Sequence, residues 1–290
     1  MNPRAGSAAA TLALLLALAA SCTLTRPLHG LTCEPGAGDG SCLFGESCDG
    51  DRDCATASCA SATCHCPDDM VTIDSQYCID ATEVTSSAYR RFLTAKPDPS
   101  TQPTFCQWNE SFAFDDGSAT PDNGCAKREA GDDFPATCVD WCDAHAFCAS
   151  LGKHLCGKPH GGPNPESAMA DRAQSEWFNA CSGGPLARDF PTESNTVADC
   201  FLGDMAPKQV SLPGNSGCEG GYFGLFDMSG NVGEWEDSCT AQDGADDTCL
   251  TRGGSFDLGG TPESAYQCKA MASFSRNEAY FAIGFRCCSG

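Results

Sequence analysis

The chain has 290 residues, enough for one large domain and a small one, and its 39 Asp and Glu against 17 Lys and Arg give a net charge of -22. So acidic a surface repels phosphate backbones and anionic lipid heads, which argues against nucleic-acid binding and against membrane adhesion by charge. The 23 cysteines do not suit a reducing cytosol unless they hold metals, yet only Cys64-His65-Cys66 resembles a metal knuckle, so disulfides in an oxidising envelope or extracellular space are expected.

Residues 1–21 read as a secretory signal, with Arg4 as the positive end and Thr11 to Ala20 as a short apolar core. That core is too short to span a membrane. Ala19-Ala20-Ser21 then precede Cys22 in a pattern that resembles the bacterial lipobox, although Leu18 sits one place before the usual leucine position. Lipidation at Cys22 is the expectation, which would hang the protein from a membrane by acyl chains. Simple cleavage near Cys22 would instead leave it free. Setting Cys22 aside leaves an even number of cysteines, compatible with complete pairing.

Residues 22–32 read as a tether and residues 33–66 as a small Cys-rich module. The module carries Cys33, Cys42, Cys48, Cys54, Cys59, Cys64 and Cys66 among Gly, Asp, Ser and Ala, with too few large apolar residues for a core. Its cysteines are odd in number, so one bridges to the main domain or stays free. Asp49-Gly50-Asp51-Arg52-Asp53 fails as a calcium loop, because Cys54 stands where Gly belongs and Ala60 where Glu belongs.

The main domain is placed at residues 67–290. Met70 to Ile73 and Tyr77 to Ile79 read as short strands joined by a polar turn. Thr85 or Ser86 caps a predicted helix through Tyr89, Phe92 and Leu93. Residues 95–137 form a long loop rich in Pro, Asp and Gly, pinned by Cys106, Cys125 and Cys138. Asp140 starts a helix that puts Trp141, Ala144, Phe147, Cys148 and Leu151 on one face and stops at Gly152. Another helix is predicted from Asp171 to Cys181, with Trp177 and Phe178 inward. Beyond Pro185 the helical period is lost and Gly-rich turns dominate. Cys239 and Cys249 flank a loop of Asp, Gly and Ala with nothing apolar to hold it, and are expected to be joined. The fold class is α+β with much irregular backbone, stapled by disulfides.

The stretch Phe223 to Trp235 is an apolar run broken by Asp227, Gly230, Asn231 and Glu234. Its carboxylates flank a Gly-Asn turn that can aim carbonyls inward and so supply several of the six to eight oxygens calcium takes. The same pattern also suits a turn whose carboxylates cap backbone N–H groups. The residues alone leave both readings open.

Several segments resemble, in order, the formylglycine-generating enzyme, or sulfatase-modifying factor, domain family. They are Tyr77-Cys78-Ile79-Asp80-Ala81-Thr82-Glu83-Val84-Thr85, Val139-Asp140-Trp141-Cys142-Asp143-Ala144, Leu151-Gly152-Lys153-His154-Leu155, Asp227 to Trp235, Arg252-Gly253-Gly254-Ser255-Phe256 and Gly284-Phe285-Arg286-Cys287. The resemblance implies an irregular fold with little regular secondary structure and a structural calcium. That ion would take the side chains of Asp227 and Glu234 and the carbonyls of Gly230 and Val232. A second calcium site of the family is not matched clearly by Ala198-Asp199-Cys200-Phe201 and stays open. Bridges Cys148–Cys287 and Cys181–Cys268 are implied too, with Cys288 a competitor for Cys148.

Enzymes of this family oxidise a sulfatase cysteine to formylglycine with oxygen and a copper ion held by two thiolates, soft ligands suited to Cu(I). The matching positions here are Leu258 and Glu263. Ser255 matches a residue of the family's active region. Gly233 replaces the Trp that usually stands between Val232 and Glu234, removing an aromatic wall. A non-haem iron site wants two His and a carboxylate close in space, and His145, His154 and His160 are better read as core or surface residues.

These readings combine into an envelope or secreted lipoprotein whose domain lacks the copper-thiolate site. It would act as a calcium-stabilised module binding a protein, peptide or glycan through a groove near Ser255 to Glu263. The membrane contact is the N-terminal anchor alone, and neither copper nor iron is expected. The alternative is a divergent metal-dependent oxidoreductase, using non-haem iron or copper, or a sulfatase-modifying enzyme with relocated residues.

Overall fold

The computed structural model describes residues 59–60, 63–118, 121–127, 131–200, 202, 212–214, 217–259 and 261–290. The signal, the tether, Cys22 and most of the Cys-rich module lie outside the described residues. Of that module, Cys59–Ala60 (β1) and Thr63–Cys64 (β2) pair antiparallel, and Cys66 bridges to Cys78 in the main domain.

Short apolar runs in Met70–Ile73 (β3) and Tyr77–Asp80 (β4) make an antiparallel hairpin, with β4 buried along its whole length. Its turn uses Asp74 and Ser75 at φ 49° and 56°, the left-handed region that short polar side chains tolerate. Thr85 then caps helix α1 (Ser86–Thr94), accepting the Ala88 N–H at 3.2 Å. One face of α1 buries Tyr89 and Phe92 against Phe112, Phe147 and Phe285. The described parts of residues 95–137 contain short 3-10 turns, held by Cys106–Cys142 and Cys125–Cys138.

Helix α2 (Trp141–Ser150) has a reciprocal cap between Asp140 and Asp143. At its other end Gly152, at φ 69°, allows the Lys153 N–H to reach the Cys148 carbonyl and its own N–H to reach Ala149. The helix expected from Asp171 is shorter than the sequence suggests. Residues Arg172–Gln174 form a 3-10 turn, and α3 (Glu176–Cys181) starts only at Ser175, whose hydroxyl accepts the Phe178 N–H. Asp171 caps the turn, not the helix. Trp177 is fully buried, but Phe178 is half-buried under the Arg252 guanidinium, because neighbouring helix positions cannot share one face.

Two four-stranded sheets organise the domain. In the first the order is β3-β4-β10-β5, so the last strand, β10 (Cys287–Ser289), lies between the hairpin and β5 (His154–Leu155). The second has the order β8-β7-β6-β9, formed by Met271–Ser275 (β8), Thr248–Arg252 (β7), Gly233–Cys239 (β6) and Ile283–Phe285 (β9). Here β6 and β9 run parallel and the other pairs antiparallel. Successive side chains of β10 point to opposite faces. Cys287 therefore enters the aromatic core with Cys148, and Cys288 enters the core around Trp177, Leu225 and Met228 with Cys156. The rivalry foreseen between Cys288 and Cys287 for Cys148 does not arise, because strand geometry sends them to different partners.

Candidate functional site

The turn before β6 is sharply coiled: Asp227, Gly230 and Asn231 all have positive φ, at 60°, 80° and 51°. This coil carries Asp227 and Glu234 into the interior, where each is almost wholly buried. Asp227 accepts the Gly214 N–H at 2.5 Å. Glu234 is gripped by Arg286 through Nε–Oε2 and Nη2–Oε1 contacts of 2.6 Å each, and Trp177 Nε1 adds a third donor at 2.8 Å. Glu83, from the segment after β4, joins them: its Oε1 accepts from Asn231 Nδ2 at 2.9 Å, while its buried Oε2 has no hydrogen-bond partner among the described residues.

Among the described residues, Glu83, Asp227 and Glu234 face the Arg286 guanidinium, three carboxyl groups to one cation. Burial first, then the Asp227 charge, holds the Glu83 carboxyl well above its usual range, and Arg286 only partly offsets this. An orphaned buried carboxylate oxygen is costly. Hard carboxyl oxygens gathered in this way suit a divalent cation such as calcium. The Asp227, Glu234 and Glu83 oxygens do not all stand within 4.8 Å of one another, and Glu234 is paired with Arg286. Among the described residues, the trio that does meet that spacing is Cys156, Glu176 and Cys288, and its two sulfurs are bonded to each other.

On the far side of β6 lies a groove of about 420 Å³ lined by Gly233, Ser255, Leu258, Phe274 and Tyr280 among others. Leu258 ends a 3-10 turn (Phe256–Leu258) and also packs toward Phe190, Val197 and Tyr266. Glu263 is exposed and does not line this groove. Ser255 Oγ donates to Asp257 Oδ1, and Tyr280 Oη donates to Asp257 Oδ2 at 3.0 Å. Burial and then the Asp257 charge push the Tyr280 phenol up to about 12.

Among the described residues no thiolate pair stands here. Every cysteine whose side chain is described is disulfide-bonded, and Cys268 is joined to Cys181. Cys239 and Cys249 stand opposite each other on β6 and β7 and are joined as well. The histidines are apart in role. His145 stacks on Trp141 at 5.0 Å and its pKa falls to about 4 through burial. His154 pairs with Glu176 at 2.9 Å. His160 takes a turn position at φ 68°.

The model of the sulfatase-modifying factor enzyme 1-like domain matches residues 39–289. The chain belongs to that family. The formylglycine-generating enzyme of Bos taurus is 25% identical over 182 residues, which are 53% of this chain and 44% of that protein. The Bos taurus protein named inactive C-alpha-formylglycine-generating enzyme 2 is 30% identical over 177 residues, 54% of this chain and 51% of that one. The chain spans about half the length of these curated relatives. Among solved structures, CarF and PvdO from Pseudomonas aeruginosa each superpose with a TM-score of 0.48 at 20% identity, covering 73% of this chain and 85% and 80% of theirs.

Sequence reasoning overlooked Glu83, Arg286, Asp257 and Tyr280. Glu83 and Arg286 lie within segments that carry the family resemblance, yet only the fold brings them to Glu234. Asp257 follows Ser255 by two places, and its partner Tyr280 is remote in sequence, so no local spacing marks the pair.

Proposed function

We propose that this chain is a lipid-anchored envelope protein whose sulfatase-modifying-factor-like domain has lost the copper-thiolate oxidase site and serves as a calcium-stabilised binding module. The observation that carries this reading is the donor set at the two family positions. Leu258 offers only methyl groups, Glu263 offers exposed hard oxygens, and the nearest cysteine, Cys268, is locked to Cys181. Cu(I) needs soft ligands, and neither position can give one. Gly233 leaves open the space that an aromatic wall would take, so the groove can admit a ligand. That one relative bears the name inactive agrees with loss of activity on this scaffold. The iron or relocated-enzyme alternative has no comparable support, since His145 is stacked on a Trp and His154 is engaged by Glu176.

Calcium would be held by Asp227, with Glu234 and the carbonyls of Gly230 and Val232, and its role is to neutralise buried charge. Anchoring rests on Cys22: Cys22→Ala should release the protein from membranes in a suitable bacterial host. A wild-type protein that is wholly soluble with an unmodified N-terminus refutes the anchor. For the domain, incubation with copper, oxygen and a sulfatase-derived peptide carrying the target cysteine tests the reading. The peptide mass should stay unchanged, because the thiol is not converted to an aldehyde. Conversion by the wild type, absent in Cys268→Ser, would show an active thiolate that this reading denies.

A further inference from the structure

We propose that the turn carrying Phe223 binds a linear neutral saccharide, a chain of β-1,4-linked glucose-type rings, with one sugar stacked on the Phe223 face. The inference goes beyond the reading above, since among the described residues this surface shares no lining residue with the groove beside β6. Its first support is how the ring is presented. Phe223 is 93% exposed, the most of any large apolar side chain among the described residues. The turn beneath it is nevertheless firmly built. The Gly224 N–H donates to Glu219 Oε1 at 2.8 Å, the Leu225 N–H to the Tyr222 carbonyl at 3.1 Å, and the Gly221 N–H to the Pro191 carbonyl at 2.7 Å. Gly221 and Gly224 take φ of 77° and 81°, and a Cβ on Gly221 would stand 2.1 Å from the Ala180 carbonyl. A ring held out on so fixed a turn loses little freedom when a ligand stacks on it.

The second support is what flanks the ring. Two open grooves, of about 670 Å³ and about 510 Å³, meet at Tyr222 and Phe223, which line both. Adjoining grooves of this kind suit a chain better than a single compact molecule. In the larger, Arg188 brings a guanidinium, Ser194 a hydroxyl, and Glu193, Asp199 and Glu219 carboxylates. Carboxylates accept from the vicinal hydroxyls of a sugar, and a guanidinium donates to them. The carboxylates and a net charge of -22 disfavour phosphorylated or sulfated chains. Glucose-type rings keep their substituents equatorial, so each face is a flat array of C–H groups whose positive polarity meets the negative face of an aromatic ring. The β-1,4 linkage extends such rings into a ribbon, which can run from one groove across Phe223 into the other.

The test is calorimetric titration of the full chain, in calcium, with cellohexaose, chitohexaose, cellobiose and pentalysine. At least one hexasaccharide should bind, tenfold or more tighter than cellobiose, which is too short to reach both grooves. Its affinity should hold in high salt, because a neutral ligand has no charge to screen. Phe223→Ala should weaken it at least tenfold. Phe223→Leu should do the same, since it keeps apolar volume but loses the flat face, and Phe223→Tyr should bind as the wild type does. Circular dichroism checks that each variant is folded, and the Leu and Tyr variants carry the comparison if the Ala variant is not. Failure of both hexasaccharides to bind the wild type, wild-type affinity in Phe223→Ala or Phe223→Leu, or binding lost in high salt overturns the proposal. Pentalysine bound at Phe223 in place of the sugars overturns it too and assigns the surface to a basic peptide. Those results leave the peptide-mass test untouched, so failure of this inference and failure of the non-oxidase reading are separately visible.

Discussion

Arg286 holds both carboxylate oxygens of Glu234 at 2.6 Å, with each side chain buried. The same guanidinium donates to the carbonyls of Asp80 at 3.0 Å and Phe226 at 2.9 Å, so one side chain ties β4, the coiled turn and β6 together. Its planar fork satisfies these acceptors at once, which a lysine cannot do.

Removing one partner of such a pair leaves a buried charge uncompensated. Arg286→Met should destabilise the domain by about 3–5 kcal/mol, and Arg286→Lys should recover little of it. Urea unfolding monitored by tryptophan fluorescence measures this. A loss below about 1 kcal/mol would mean that the pair is not what secures the turn.

Glu83 gives an opposite pair of effects with and without calcium. In chelator, Glu83→Gln should raise the melting temperature, because it removes a buried carboxylate that lacks a partner on Oε2 among the described residues. In calcium the wild type should be the more stable, by about 2.7 kcal/mol when calcium is at a hundred times its dissociation constant. Asp227→Ala should abolish that increment and Glu83→Gln should shrink it. If chelation leaves the wild type unchanged, the turn is held by Arg286 and hydrogen bonds alone.

Asp237, on β6, sets a pH dependence. Burial first, offset in part by His154, lifts its pKa to about 7. An unfolded Asp titrates near about 4. Between these values the folded chain holds the extra proton, so stability falls as pH rises from about 4 to about 7 and levels above that. Asp237→Asn should flatten this slope in denaturation series at stepped pH. The same slope in the variant would assign the effect to Glu83 or Asp140, whose carboxyls are also raised by burial.

The bond between Cys239 and Cys249 closes a loop of sequence separation 10. Replacing both with Ser should cost about 2–3 kcal/mol in the chain-entropy picture. Cys148–Cys287 spans a separation of 139 and staples α2 to the last strand. Peptide mapping without reductant should recover both pairs intact, and a Cys239 linked elsewhere would contradict the β6–β7 register.

The hairpin, α1 and α2 were legible in the sequence because their signals are local: two short apolar runs around a polar turn, a Thr85 cap, and an Asp140 cap followed by Gly152. Strand β6 was not, because the charged Glu234 and Glu236 interrupt any apolar pattern there. Both are buried, and what makes that tolerable is remote: Arg286 for the first, Arg252 at 2.7 Å for the second. The start of α3 was placed too early because Asp171 and Ser175 both look like caps, and local bonding gives Asp171 only a single 3-10 turn. The carboxylates of the turn could be read from their spacing, but the surplus charge could not, because Glu83 arrives from the other end of the domain. Ser255 was visible, whereas the Asp257 and Tyr280 pair depends on a chain reversal that no spacing encodes.

Metal analysis of the purified full-length protein tests the central claim most directly. Elemental mass spectrometry after exhaustive dialysis should find calcium bound in stoichiometric amount, with copper and iron at trace level, and Asp227→Ala should lose the calcium. Stoichiometric copper or iron in the wild type, or no calcium at all, would contradict a calcium-stabilised module without the oxidase site.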